Sequence, residues 1–194
     1  MRTLGAVVLL ALLVSACAQE YQTFEAPPLD FSDRRPLLLR VDQVRVQSTG
    51  PASMPVEPGA AVPIPPEEAA RQMLEYRLRA AGGAGAIQAT ILEADVTERP
   101  LEPKGGFRGY VVNEAVAELQ GRLKVRLDRL DEQGAPVGSL STAVMRTAAI
   151  PEDATFVRRQ EIAYELVRNL VNDLDVGLIS NLQQSFATLI APPA

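Results

Sequence analysis

From Ala115 to Leu127 the odd positions read Ala, Ala, Leu, Gly, Leu, Val, Leu, and the even ones from Glu118 to Asp128 read Glu, Gln, Arg, Lys, Arg, Asp. A period of two means a strand with one face on a core and the other in water. LDEQG follows, with Gly134 at the turn position that needs positive φ, so GSLSTAVMRTA returns as the next strand of a hairpin. Upstream, AIQATILEADVTE reads as a strand whose phase slips near Ile91-Leu92. LLLRVDQVRV reads as another: Leu37, Leu39 and Val41 alternate in one phase and Val44 and Val46 in the other, with a bulge at Asp42-Gln43.

Two stretches carry helical spacing instead. In PPEEAARQMLEYRLRAAGG, Ala70, Met73, Leu74, Leu78 and Ala81 share one face. Pro66 suits the first turn, Glu67 and Glu68 complement the positive N-terminal end, and Gly82 can close the other end. The second helix spans EDATFVRRQEIAYELVRNLVNDLDVGLISNLQQSF, with Asp153 or Thr155 as N-cap. Its stripe runs through Ile162/Ala163, Leu166, Leu170, Leu174, Leu178 and Leu182, and Gly177 is a point where it can bend. The order is β-α-β-β-β-α. A right-handed crossover through the first helix makes strands one and two parallel, and the rest form an antiparallel meander. Since the third strand shows one fully polar face, both helices belong on the other. The expected fold is α+β, a two-layer sandwich of a four-stranded mixed sheet with two helices on one face.

The N-terminus reads differently. MRTLGAVVLLALLVSA has one positive charge, an apolar run from Leu4 to Val14 and then small residues, the three parts of a secretory signal. The run is too short for a transmembrane helix, which takes about 20 residues. LVSACAQE at its end contains the only cysteine of the chain, Cys17, and has two readings. Ala16-Cys17-Ala18 is an A-x-A cleavage triplet that would release a soluble protein. Val14-Ser15-Ala16-Cys17 is a lipobox, cut between Ala16 and Cys17, after which the cysteine is acylated. Residues 17–36 are polar and proline-dotted and read as a flexible tether, able to reach roughly 60 Å when stretched. The organisation expected is a signal at 1–16, the lipidated cysteine and tether at 17–36, one domain at 37–187 and a frayed tail at 188–194.

Composition narrows the chemistry. The 194 residues contain no histidine and no tryptophan. Zinc sites of the usual kind, Cys–His nucleophiles and Ser-His-Asp triads therefore have no residues to draw on, and no metal, cofactor or catalytic residue is expected. No disulfide can form within one chain. The net charge is −5, and cleavage before Cys17 removes Arg2, leaving 18 basic against 24 acidic residues. Without a basic patch, nucleic acid is excluded as a partner. Asp173 and Asp175 stand two apart on a helix, do not share a face, and read as solvated charges. Tyr76 and Tyr164 read as core-edge residues.

The stretch ERPLEPKGGFRGYVVN, between strands two and three, is long for a hairpin. Lys104, Phe107, Arg108 and Tyr110 place cations and aromatics on a glycine-rich backbone. They read as a loop that docks a partner protein or touches lipid headgroups, or else as an ordinary loop whose aromatics fold back on the sheet edge.

With a lipobox, a proline-bearing tether and β-α-β-β-β-α on the page, the chain resembles small envelope lipoproteins of Gram-negative bacteria. These include the YajG-like, the ABC-transport auxiliary and the lipopolysaccharide-assembly lipoproteins. The lipobox match is Val14, Ser15, Ala16 and Cys17; the domain match is one of element order over about residues 37–187. The resemblance implies acyl chains on Cys17 as the only attached group. It also implies anchorage in the outer membrane facing the periplasm, since Ala18 is not a retaining aspartate. The function expected is a non-catalytic accessory or scaffold protein with an envelope protein partner. The alternative is an auxiliary carrier holding a lipid or other apolar ligand, for which the small Ser139, Ser141 and Ala143 could leave room beneath a helix.

Overall fold

The computed structural model describes residues 24–49, 62–102 and 115–192. The elements are β1 (Leu37–Leu39), β2 (Gln43–Ser48), α1 (Pro66–Arg77), β3 (Leu78–Ala80), β4 (Ala86–Pro100), β5 (Ala115–Leu130), β6 (Pro136–Pro151) and α2 (Phe156–Ser185), followed by a 3-10 turn, Ala187–Leu189. The main sheet has the order β2-β4-β5-β6, with β2 parallel to β4 and the rest antiparallel. Both helices pack on one face of it, so the fold is the expected α+β sandwich.

Alternation decides which side chains enter the core. On β5, Ala117, Leu119, Leu123, Val125 and Leu127 are buried, and Gly121 lies among them. The register of β4 against β5 shifts between Ile91 and Glu93. Before the shift Ala89 and Ile91 lie opposite Leu127 and Val125, and after it Ala94 and Val96 lie opposite Leu123 and Gly121. The slip read from the sequence is thus a β-bulge at Leu92 that keeps apolar residues on one face across both phases. At the β5–β6 turn Gly134 has φ +81°, and Asp131 Oδ1 accepts from the backbone N–H of Gln133 and Ala135 at 3.0 and 2.7 Å.

The helices seat where their stripes predict. On α1, Ala70, Met73 and Leu74 are buried; on α2, Ala163, Leu166, Leu170, Leu174, Leu178 and Leu182 are. Thr155 is the N-cap of α2, its side chain accepting from the backbone N–H of Arg158 at 3.2 Å. The helix runs unbroken through Gly177, which brings the backbone close to the sheet: a Cβ there would stand 3.0 Å from Thr142 Cγ2. Likewise a Cβ at Gly121 would stand 3.1 Å from Leu170 Cδ2.

Four expectations are corrected. The first strand is not one bulged strand: the chain changes sheets at Arg40–Asp42, β1 pairing parallel with β3 and β2 with β4. The change is possible because Gly83 and Gly85, both at positive φ, let the chain pass against Arg40 and Leu130. A side chain at Gly83 would meet the Arg40 carbonyl at 2.7 Å. Second, α1 ends at Arg77 rather than at Gly82, because Leu78–Ala80 pairs with Leu37–Leu39. Third, the tail is held as far as Ala191. Leu189 is buried, Ile190 bridges to Leu39, and Ala191 N–H donates to the Leu38 carbonyl at 2.8 Å.

The fourth concerns the segment read as tether. Residues 24–36 have no regular structure, but they lie bound along the helices. Phe24 N–H donates to Gln160 Oε1 at 3.1 Å, and its ring meets that of Tyr164 at 5.6 Å between centroids. Phe31 is buried beside Tyr76, 6.2 Å between ring centroids. The described part of the tether is therefore a strap that belongs to the fold.

Candidate functional site

Ala16 and Cys17 of the lipobox, and Lys104, Phe107, Arg108 and Tyr110 of the long β4–β5 connection, lie outside the described residues. Their flanks, however, are placed. Phe24, seven residues after Cys17, is tied to Gln160 and Tyr164 in the first turns of α2. Arg159 of the same turns donates to Glu98 near the end of β4 at 3.1 Å. Pro100 pairs with Ala117, and Ala115 with Pro151. The strap therefore enters, and the β4–β5 connection leaves and returns, at one end of the molecule. The β5–β6 turn and the 3-10 turn occupy the other end.

The strap is locked by a buried charge cluster. Asp175, 3% exposed, accepts from Arg34 Nη1 at 2.7 Å and from Arg77 Nε at 2.8 Å. Arg34 Nη2 also donates to Asn172 Oδ1 at 2.8 Å, and Arg77 Nη1 to the Arg35 carbonyl. One carboxylate thus joins the strap, α1 and α2. The reading of Asp175 as a solvated charge is corrected: the helix turns it onto the buried side, beside Val171, Leu174 and Leu178. Asp173 does face outward and is paired with Arg146. The signal was in the sequence, since Arg77 and Asp175 are opposite charges that each interrupt an apolar stripe. Both residues are buried, at 7% and 3% exposed.

The face of the sheet away from the helices is polar and paired within itself. Arg99 reaches Glu118 at 3.1 Å, and Arg122 stands 3.4 Å from Asp95 and 3.6 Å from Glu93. The Arg122 Nε and Asp95 Oδ1 atoms are buried and not hydrogen-bonded despite their closeness. Burial pushes the Asp95 carboxyl above the ordinary carboxylate range, against the pull of Arg122 and with help from Glu93. On β6 this face is smaller and less charged, with Ser139, Ser141, Ala143 and Met145 exposed. The space these small residues were to leave beneath a helix is not there, because they point away from the helices. The residues of β6 that do face α2, such as Leu140 and Thr142, are buried against it.

Grooves on the described surface are shallow and mixed in character. One of about 410 Å³ lies at the end opposite the strap entrance, between Asp42, Arg45, Gly85 and Asp131. Another of about 160 Å³ lies between β6 and α2, near Arg146, Ile162 and Glu165. Among the described residues no group of three or more Asp, Glu, His or Cys side chains is placed to hold a metal ion. None of the described helices is long and apolar enough to cross a membrane.

No family model matches the chain, and no curated protein matches its sequence. Among solved structures, the chain is similar to a minor lipoprotein from Acinetobacter baumannii at 18% identity, over 81% of this chain and 100% of that one, with a TM-score of 0.41. It is also similar to the rare lipoprotein B from Shewanella oneidensis at 13% identity, over 74% of this chain and 96% of that one, with a TM-score of 0.40. At these values both are distant likenesses.

Proposed function

We propose that the protein is an envelope lipoprotein, acylated on Cys17 and anchored in the outer membrane facing the periplasm. In this reading it acts there as a non-catalytic accessory that binds another envelope protein through the 103–114 connection. The observation that carries the reading is that the described flanks of the two sequence features lie at one end of the molecule. Phe24 is tied to Gln160 in the first turns of α2, Arg159 of the same turns holds Glu98 near the end of β4, and Ala115 pairs with Pro151 just ahead of the helix. A partner met by Phe107 and Tyr110 would then stand close to the anchor. Lipoproteins are also what the two similar solved structures are named as. The accessory reading is preferred over a carrier because α2 packs closely on the sheet where it crosses β5 and β6: a Cβ at Gly121 would stand 3.1 Å from Leu170 Cδ2, and one at Gly177 3.0 Å from Thr142 Cγ2. A carrier needs an unfilled apolar cavity.

Three measurements test this. Mass spectrometry of the mature protein should give an acylated chain beginning at Cys17, and Cys17→Ser should move the protein out of the membrane fraction. A mature mass beginning at Gln19 sinks the anchor. A photo-crosslinker at Phe107 or Tyr110 in intact envelopes should give one discrete protein adduct that weakens in Cys17→Ser. No adduct at either position sinks the docking role.

A further inference from the structure

We infer that the strap fixes how the domain stands on the membrane: with the first turns of α2 and the ends of β4–β6 toward the lipid, and the β5–β6 turn away from it. The inference rests on acylation of Cys17, as proposed above. Its own basis is the short length of chain between Cys17 and the first described contact, at Phe24. A lipoprotein tether counted from Cys17 to the first strand at Leu37 would have 20 residues to wander through. Here the strap is already bound at Phe24, through the ring of Tyr164 and the side chain of Gln160. It stays bound through Phe31 against Tyr76 and through Arg34 on Asp175 and Asn172. Only six residues lie between Cys17 and Phe24, and the seven steps reach at most about 25 Å fully extended.

That reach is short beside the molecule itself. β5 alone runs 16 residues from the strap end to the far end, roughly 50 Å at about 3.4 Å per residue. The strap runs along α2 in the direction of that helix, from Gln160 at Phe24 to Asp175 at Arg34. The anchor thus attaches at the N-terminal end of α2 and not midway along it. With so short a leash, the domain cannot stand upright on its far end, at Glu132 and Gly134, because Phe24 would then lie roughly 50 Å from the surface that holds Cys17, beyond the reach of the leash.

Energy transfer from single dye labels to headgroup-labelled lipid tests the orientation. The protein is purified in its acylated form and placed in phosphatidylethanolamine–phosphatidylglycerol vesicles. Since the Cys17 sulfur is acylated, an introduced cysteine is the only free thiol. Asp153→Cys marks the near end and Glu132→Cys the far end, both at exposed positions. Transfer at position 153 is expected to exceed that at 132 by about threefold, given the lengths above. Inserting roughly 20 Gly/Ser residues between Gln22 and Thr23 leaves the bound strap intact but lengthens the free leash, and should bring the two labels close to equal. Equal transfer without the insertion, in protein shown by mass to be acylated, overturns the orientation alone. Protein found unacylated overturns the anchor and the orientation together.

Discussion

At the scale of single residues, Asp175 is the position on which most depends. Its carboxylate is the shared partner of Arg34 and Arg77, whose side chains are 24% and 9% exposed. Removing it leaves two guanidinium groups facing each other with little water to screen them. Asp175→Ala should cost about 3–5 kcal/mol, the usual cost of breaking a buried pair from one side, read as a lowered urea midpoint. Asp95 makes the opposite case. Its carboxyl is raised above the ordinary range by burial, so its charged form is disfavoured in the fold relative to the unfolded chain. The resulting penalty is present above the raised folded value and fades as pH falls through it. Asp95→Asn should therefore be at least as stable as the parent at pH 7, and the gap between them should shrink as the pH is lowered towards the normal carboxylate range. Urea denaturation of both proteins across that pH range checks the sign; a gap that widens on acidification contradicts it.

At the scale of elements, α2 shows how helix preference and packing oppose each other. Replacing a mid-helix glycine by alanine ordinarily gains about 1 kcal/mol. At Gly177 the new methyl would stand 3.0 Å from Thr142 Cγ2, and Thr142 is fixed by Asn181 Nδ2 at 2.8 Å. Gly177→Ala should thus show little or none of the gain, and Thr142→Ser, which deletes the obstructing methyl, should restore it. A double-mutant cycle by thermal or urea denaturation measures the coupling. The N-cap is simpler: Thr155→Ala should cost about 1 kcal/mol, since the Arg158 N–H loses its acceptor at the end of the helix. α2 could be read from its stripe and cap alone. The end of α1 could not: Leu78 continues the apolar face of a helix but is taken by a short parallel pairing with Leu37.

At the scale of the whole molecule, the two termini of the described chain close the structure. Leu39, fully buried, is flanked by β3 on one side and by Ile190 on the other. A chain ending at Phe186 would lose the buried Leu189 and the Arg40 N–H bond to its carbonyl at 2.7 Å. It should melt at a lower temperature than the full chain, as thermal denaturation of the two would read. Residues that look like flanking tether and tail thus contribute to the core. The polar face of the sheet, by contrast, carries cross-strand charge pairs such as Arg99–Glu118.

The sequence by itself determined the sheet and its two faces. A period of two on β5, a phase slip at the β4 bulge and apolar stripes on both helices are local consequences of backbone geometry, legible without knowing what lies opposite. It also shows that the 194 residues contain no histidine and one cysteine, Cys17. Only the tertiary structure decided which segments with no period of their own would be held. The strap from Phe24 to Arg34 is fixed by contacts more than 130 residues apart in the chain, with Gln160, Asn172 and Asp175. Such contacts leave no repeat in the sequence, because each is one side chain meeting one partner across folded elements. For the same reason Asp175 looked like a surface charge until α1, α2 and the strap came together around it.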